Sequence, residues 1–147
     1  MPVQSLVVVI VIGVLGGLAV GVQSPLASII SQRLGPLESV FIVHLGGALA
    51  AALPLLVRGG GQLGAWTRVP WYALGAGVLG VIVIGAVSIA IPRLGATATI
   101  ILVVVGQLLV GILIDQWGLL GTAVRPIDLL RIAGIGLVVL GAWCVIR

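Results

Sequence analysis

Few side chains in this sequence could do chemistry, and most of those sit inside apolar runs. His44 is the clearest, about a third of the way into the stretch 37–57. An ionisable group at membrane depth is expensive, and histidine is the side chain whose charge changes near neutral pH. His44 is therefore a candidate for coupling proton movement to another event. It is equally a candidate for a neutral ring bonded to a backbone carbonyl across a helix contact. Gln23 and Gln107 come next, because an amide both donates and accepts and can line a polar cavity or bridge two helices. Ser24, Ser28 and Ser31 form a hydroxyl face beside Gln23. Thr99, Gln107, Gly111 and Asp115 recur at multiples of four, a small-and-polar stripe that faces protein or a cavity rather than lipid. Asp115 stands at the end of its run, where a carboxylate either takes part in proton coupling or is simply solvated at the interface.

No nucleophile, base and orienting group share a spacing that would make an active site. The single cysteine, Cys144, forbids an internal disulfide and a multi-cysteine zinc site. No enzyme activity, metal or cofactor is expected.

The elements that must position these residues follow from composition. Of the 147 residues, 61% are hydrophobic and 7% are charged, with a mean hydropathy of +1.42. A soluble domain carries about 25% charged residues to cover its water-facing surface. A water-soluble globule is thereby excluded, and so is a disordered chain. The net charge of +4 comes from seven scattered basic residues, with no clustered footprint for nucleic acid.

A spanning helix needs about 20 mostly apolar residues, and five runs qualify: 3–32, 37–57, 71–91, 96–115 and 128–146. The first lacks a basic segment before it and is longer than the apolar core of a secretory signal, so it is expected to stay as a membrane helix. Pro25 removes one internal hydrogen bond there and is expected to kink it. The expected fold class is an all-α integral membrane protein of five transmembrane helices, forming a single transmembrane domain over 1–147.

The punctuation between runs agrees with helices. Arg33-Leu34-Gly35 and Arg93-Leu94-Gly95 repeat one pattern, an arginine in the last turn followed by a glycine expected in the left-handed conformation. Pro36, Pro70 and Pro126 are read as helix openings. Glu38 and Asp128 fall in or beside first turns, where a carboxylate meets the positive end of the helix dipole. Trp66, Trp71, Tyr72, Trp117 and Trp143 lie near run ends and read as an interfacial belt.

Five spans put the termini on opposite sides. One face then carries Arg58, Arg68, Arg125 and Arg131, the other Arg33, Arg93 and Arg147. Orientation follows the Lys/Arg excess, and four against three is almost none. Insertion both ways up, giving antiparallel pairs, is expected; a single orientation set by one or two arginines is the alternative. Small residues at four-residue spacing allow helices to approach closely: Gly13, Gly17 and Gly21; Gly46 with Ala50; Gly47 with Ala51; Ala76 with Gly80. The last run, with Gly134, Gly136 and Gly141, reads as peripheral or dimer-forming.

The stretch Pro92-Arg93-Leu94-Gly95-Ala96-Thr97-Ala98-Thr99, followed by Gly106-Gln107, Ile114-Asp115 and Arg125-Pro126, resembles the C-terminal half of YdcZ-type proteins. These are five-span members of the drug/metabolite transporter superfamily. Gly21-Val22-Gln23 and Gly46-Gly47 are similar to motifs in the family's first two helices. The resemblance implies a small-molecule transporter of the plasma membrane (the bacterial inner membrane), related to small multidrug resistance proteins that act as antiparallel dimers. Its partners would be the lipid bilayer, a small-molecule substrate and either a second copy or an oppositely inserted paralogue. Multidrug relatives carry a glutamate in the middle of the first helix. This chain has no acid there, so its cargo is expected to be neutral or weakly polar.

The expected mechanism is alternating access by an antiparallel homodimer of ten helices. Gln23, Ser24, Ser28, Thr99 and Gln107 are the expected substrate contacts, with His44 and Asp115 as proton-coupling candidates. The alternatives are a non-transporting accessory subunit and one half of a heterodimeric transporter.

Overall fold

The computed structural model describes residues 3–147, with side chains from residue 6 on. The fold is all α-helical, and among the described residues five helical segments are long and apolar enough to cross a membrane. In chain order the helices are α1 (Val3–Leu34), α2 (Pro36–Val57), α3 (Trp71–Leu74), α4 (Ala76–Leu94), α5 (Ala96–Trp117) and α6 (Leu129–Ile146). The third span comprises α3 and α4 together, broken at Gly75, where the short first helix closes on its own carbonyls.

Helices outlast the apolar pattern at three C-terminal ends, running to Leu34, Leu94 and Trp117. Polar residues such as Arg33, Arg93 and Gln116 end the hydrophobic run, yet they continue the backbone ladder without strain. The helical assignment of α1 also continues through Pro25. The sixth helix begins three residues after Pro126. Residues 122–128 are irregular, and Asp128 is the N-cap, accepting from Arg131 N–H at 2.7 Å.

Both Arg-Leu-Gly connections are one-residue links, and they correct one expectation. Gly35 has φ 117° and ψ 158°, and Gly95 has φ 82° and ψ 162°. These glycines do take positive φ, but with an extended ψ rather than the left-handed helical one. That region is essentially open to glycine alone, and it lets one residue end a helix and start the next. The Gly35 amide still bonds the Ser31 carbonyl at 2.9 Å, while its own carbonyl accepts from Ser39 N–H at 3.1 Å.

The chain divides into two compact units, Met1–Pro92 and Arg93–Arg147. In the first, α2 packs against the second half of α1 and against α4. Ala27, Val40 and Ile84 form its small core, with Val43 beside them. Three helices are also tied by hydroxyls: Ser39 donates to the Ala27 carbonyl at 2.7 Å, and Ser88 to Ser39 at 3.4 Å. In the second unit α5 packs against α6. Their connecting loop is latched by the Arg125 amide on the Asp115 carbonyl at 2.8 Å and by the Ile127 amide on Gln116 Oε1. Large apolar side chains elsewhere are exposed, from Leu6 to Val20 along α1 and over most of α6. That is the surface a bilayer covers without cost.

Candidate functional site

The first unit holds a cleft of about 450 Å³ lined by Gln23 of α1, by Val43, His44, Gly47 and Ala48 of α2, and by Gly80, Val83 and Ile84 of α4. Two of the polar residues expected at the site, Gln23 and His44, therefore meet in one place. The spacing within α2 explains part of this. Val40, Val43, His44 and Gly47 sit three and four residues apart and so share a face.

His44 is half-buried and held at one ring nitrogen. Nδ1 lies 2.8 Å from the Val40 carbonyl one turn back in the same helix. Nε2 points at α4, where a Cβ built on Gly80 would lie 2.7 Å from it. A side chain at this position would force the ring to move. The carbonyl partner is thus in His44's own helix, while the contact across helices is with bare backbone. A hydrogen bond from Nδ1–H to Val40 leaves Nε2 as the acceptor facing the cleft. Gln23 is exposed and brings both a donor and an acceptor to the same space.

The hydroxyls are placed differently. Ser24 is buried and donates to the Val20 carbonyl at 2.8 Å. Ser28, 1% exposed, accepts from Gln32 Nε2 at 3.2 Å. Thr99 is buried in the first turn of α5 and donates to the Gly95 carbonyl at 2.8 Å. Ser24 and Thr99 thus spend their donors on carbonyls one turn back, the usual local competition of Ser and Thr for backbone acceptors, while Ser28 serves a side chain of its own helix.

The second unit has its own cleft, about 510 Å³, between α5 and α6. Gln107, Leu108, Gly111, Ile112 and Asp115 line one wall; Arg131, Gly134, Ile135 and Val138 line the other. The stripe of Gln107, Gly111 and Asp115 does face a cavity, whereas Thr99 is buried at the helix start. At one end Arg131 Nη1 stands 3.7 Å from Asp115 Oδ2, with both side chains roughly one-third exposed. The guanidinium also donates to the Arg125 carbonyl at 3.1 Å.

Arg131 and Gly80 are the residues that spacing did not single out as site members. Gly80 was visible only as half of a small-residue pair. Arg131 is marked by lying in the first turn of α6 across a loop from Asp115, a juxtaposition typical of antiparallel neighbours. Among the described residues no three His, Cys, Asp or Glu side chains gather as a metal site would need.

A family model described as "Putative inner membrane exporter, YdcZ" matches residues 8–144. No curated protein and no solved structure matches the chain.

Proposed function

The chain belongs to the YdcZ inner-membrane exporter family, and from that premise we propose that it exports a neutral or weakly polar small molecule by alternating access, as an antiparallel homodimer. It is a multi-pass inner-membrane protein of a transporter family rather than an enzyme family. The observation that carries the proposal is the meeting of Gln23 and His44 in one cleft within an otherwise apolar helix set. An amide and an imidazole offer hydrogen bonds of both senses without a fixed charge. Such a site suits an uncharged cargo better than a cation.

The near-balance of arginines between the two faces favours insertion both ways up. Bare glycine faces favour a second copy. Gly13, Gly17 and Gly21 of α1, and Gly136 and Gly141 of α6, have no atom within 4 Å of an added Cβ. In such a dimer the two copies rock about their clefts. Gln23 holds the cargo, while His44, fixed by Val40, exchanges a proton if transport is proton-coupled. Gln107 lines the separate cleft of the second unit, and the hydroxyls of Ser24 and Thr99 serve mainly to bond backbone carbonyls. The dry, satisfied bonds of Ser39 and Ser88 favour a second reading, an accessory subunit whose polar groups only pack.

Export by cells carrying the wild type and the Gln23→Leu variant separates these readings, using untargeted analysis of the medium and cross-linking to check dimers. The expected result is one or more neutral metabolites that accumulate outside with wild type. Their accumulation should fall at least about tenfold with Gln23→Leu, the factor set by losing roughly 1.4 kcal/mol of cargo binding. Unchanged media with either protein, dimers being intact, would favour the accessory subunit.

A further inference from the structure

We infer that the α5–α6 cleft is a seat for one phospholipid with a zwitterionic, primary-ammonium headgroup, its phosphate on Arg131 and its ammonium on Asp115. The proposal stands apart from export and holds whether or not the chain moves a cargo.

The shape of the cleft is that of an amphiphile. Leu108, Ile112, Ile135 and Val138 give it apolar walls, and Gly111 and Gly134 leave space between the helices. Its charged residues stand near the loop end of both helices, Asp115 two residues before the end of α5 and Arg131 in the first turn of α6. From Asp115 to Gln107 is eight residues, about 12 Å along the helix at 1.5 Å per residue. An acyl chain lying along that length would carry its headgroup to the charged end. Exposed Trp117, two residues beyond Asp115, marks that end as interfacial in character.

The charges choose the headgroup. At 3.7 Å, Asp115 and Arg131 attract each other but are too far apart for a hydrogen bond between them. Arg131 spends Nη1 on the Arg125 carbonyl and, with five N–H donors in all, has others to give. Among the described residues no hydrogen bond ends on the Asp115 carboxylate. Asp128, the nearest other acid in sequence, is turned to the Arg131 amide, and Arg125 balances it in charge. Two acids and two arginines make this end neutral overall, so a net-anionic headgroup gains no excess attraction. A phosphate–ammonium pair matches both partners at once. A trimethylated ammonium has no N–H to donate to Asp115, which is why the primary amine is specified. A helix of a second copy with an apolar face would fill the apolar part but bring no donor to the Asp115 carboxylate and no acceptor to the remaining N–H groups of Arg131.

Native mass spectrometry of the full chain, equilibrated with equal amounts of dioleoyl phosphatidylethanolamine, phosphatidylcholine and phosphatidylglycerol, tests this. Wild type should retain phosphatidylethanolamine about tenfold over each of the others, the effect of one charge-assisted hydrogen bond. Asp115→Ala, which leaves no acceptor there, should erase the preference over phosphatidylcholine while lipid is still bound. Arg131→Gln should lose retention of all three, and Arg131→Lys should restore it. Equal retention of the three lipids by wild type overturns the proposal without recourse to any variant. So does a preference that survives Asp115→Ala. A third overturning outcome is a Gly134→Cys variant that cross-links to its counterpart in a second copy with no lipid held.

Discussion

The two units of this chain use the same few polar residue types in opposite ways. In Met1–Pro92 three polar side chains within the helices face other helices: Ser39 on Ala27, Ser88 on Ser39, His44 against Gly80. In Arg93–Arg147 they gather at one end of a helix pair and hold a loop: Asp115, Gln116, Asp128 and Arg131 with Arg125 and Ile127. Each unit also has a cleft with one glutamine, but Gln23 shares its cleft with an imidazole and Gln107 with an ion pair. Where lipid excludes water, a mid-helix hydroxyl must find a partner, and so it fixes which helices touch. At the interface water can stand in, so charges there are left to shape a loop or meet a headgroup.

The largest expected effect lies at the tightest contact of the first unit. Gly80→Leu drives a side chain into the space that His44 occupies. Overpacking of this kind costs about 1–3 kcal/mol or more. The expected outcome is a displaced His44, a weakened α2–α4 contact and export near background, read from the same medium assay and from thermal stability in detergent. Gly134→Leu, placed where an added Cβ meets nothing, should leave the fold of the isolated chain intact. Equal destabilisation by both would erase the contrast between a packed first unit and an open second one.

A smaller pair of effects separates inside from end. Ser39→Ala removes the bond to Ala27 and the acceptor for Ser88, worth about 0.6–1.7 kcal/mol by the range found for polar contacts in membranes. Asp128→Ala removes a helix cap, worth about 1 kcal/mol. Hydrogen exchange tells them apart although the totals are similar. Ser39→Ala should speed exchange in α1, α2 and α4 together, whereas Asp128→Ala should speed it only in the first turn of α6. Exchange spreading through α5 and α6 in the Asp128 variant would show that the loop end carries packing as well.

The five spans were legible because each apolar run is long and bounded by arginine, glycine or proline. Their N-terminal ends agree closely: Pro36, Trp71 and Ala96 start where the pattern starts. The C-terminal ends were read short because hydropathy reports what lipid tolerates, while a helix stops only where its backbone turns. The site was half visible. Polarity in an apolar run singled out Gln23, His44, Gln107 and Asp115, and each lines a cleft. Their partners were hidden, because Gly80 and Arg131 meet His44 and Asp115 across helix contacts that periodicity does not encode. The serine row is ambiguous for another reason. A hydroxyl face looks the same in sequence whether it awaits a ligand or has already bonded its own helix, as Ser24 has with Val20. Ser88, alone in an apolar run, and Ser39, next to Glu38 at a helix start, gave no spacing signal.

The central claim is that two oppositely inserted copies make one exporter, and orientation tests it most directly. Cys144 is exposed and must first be replaced. A single cysteine then goes to Gln62, an exposed loop position free of the positive φ that Gly59, Gly60 and Gly61 require. Labelling intact cells, then opened cells, with a membrane-impermeant maleimide counts the molecules facing each way. Two populations of similar size are the predicted result. Reaction of every molecule from one side would contradict the antiparallel homodimer.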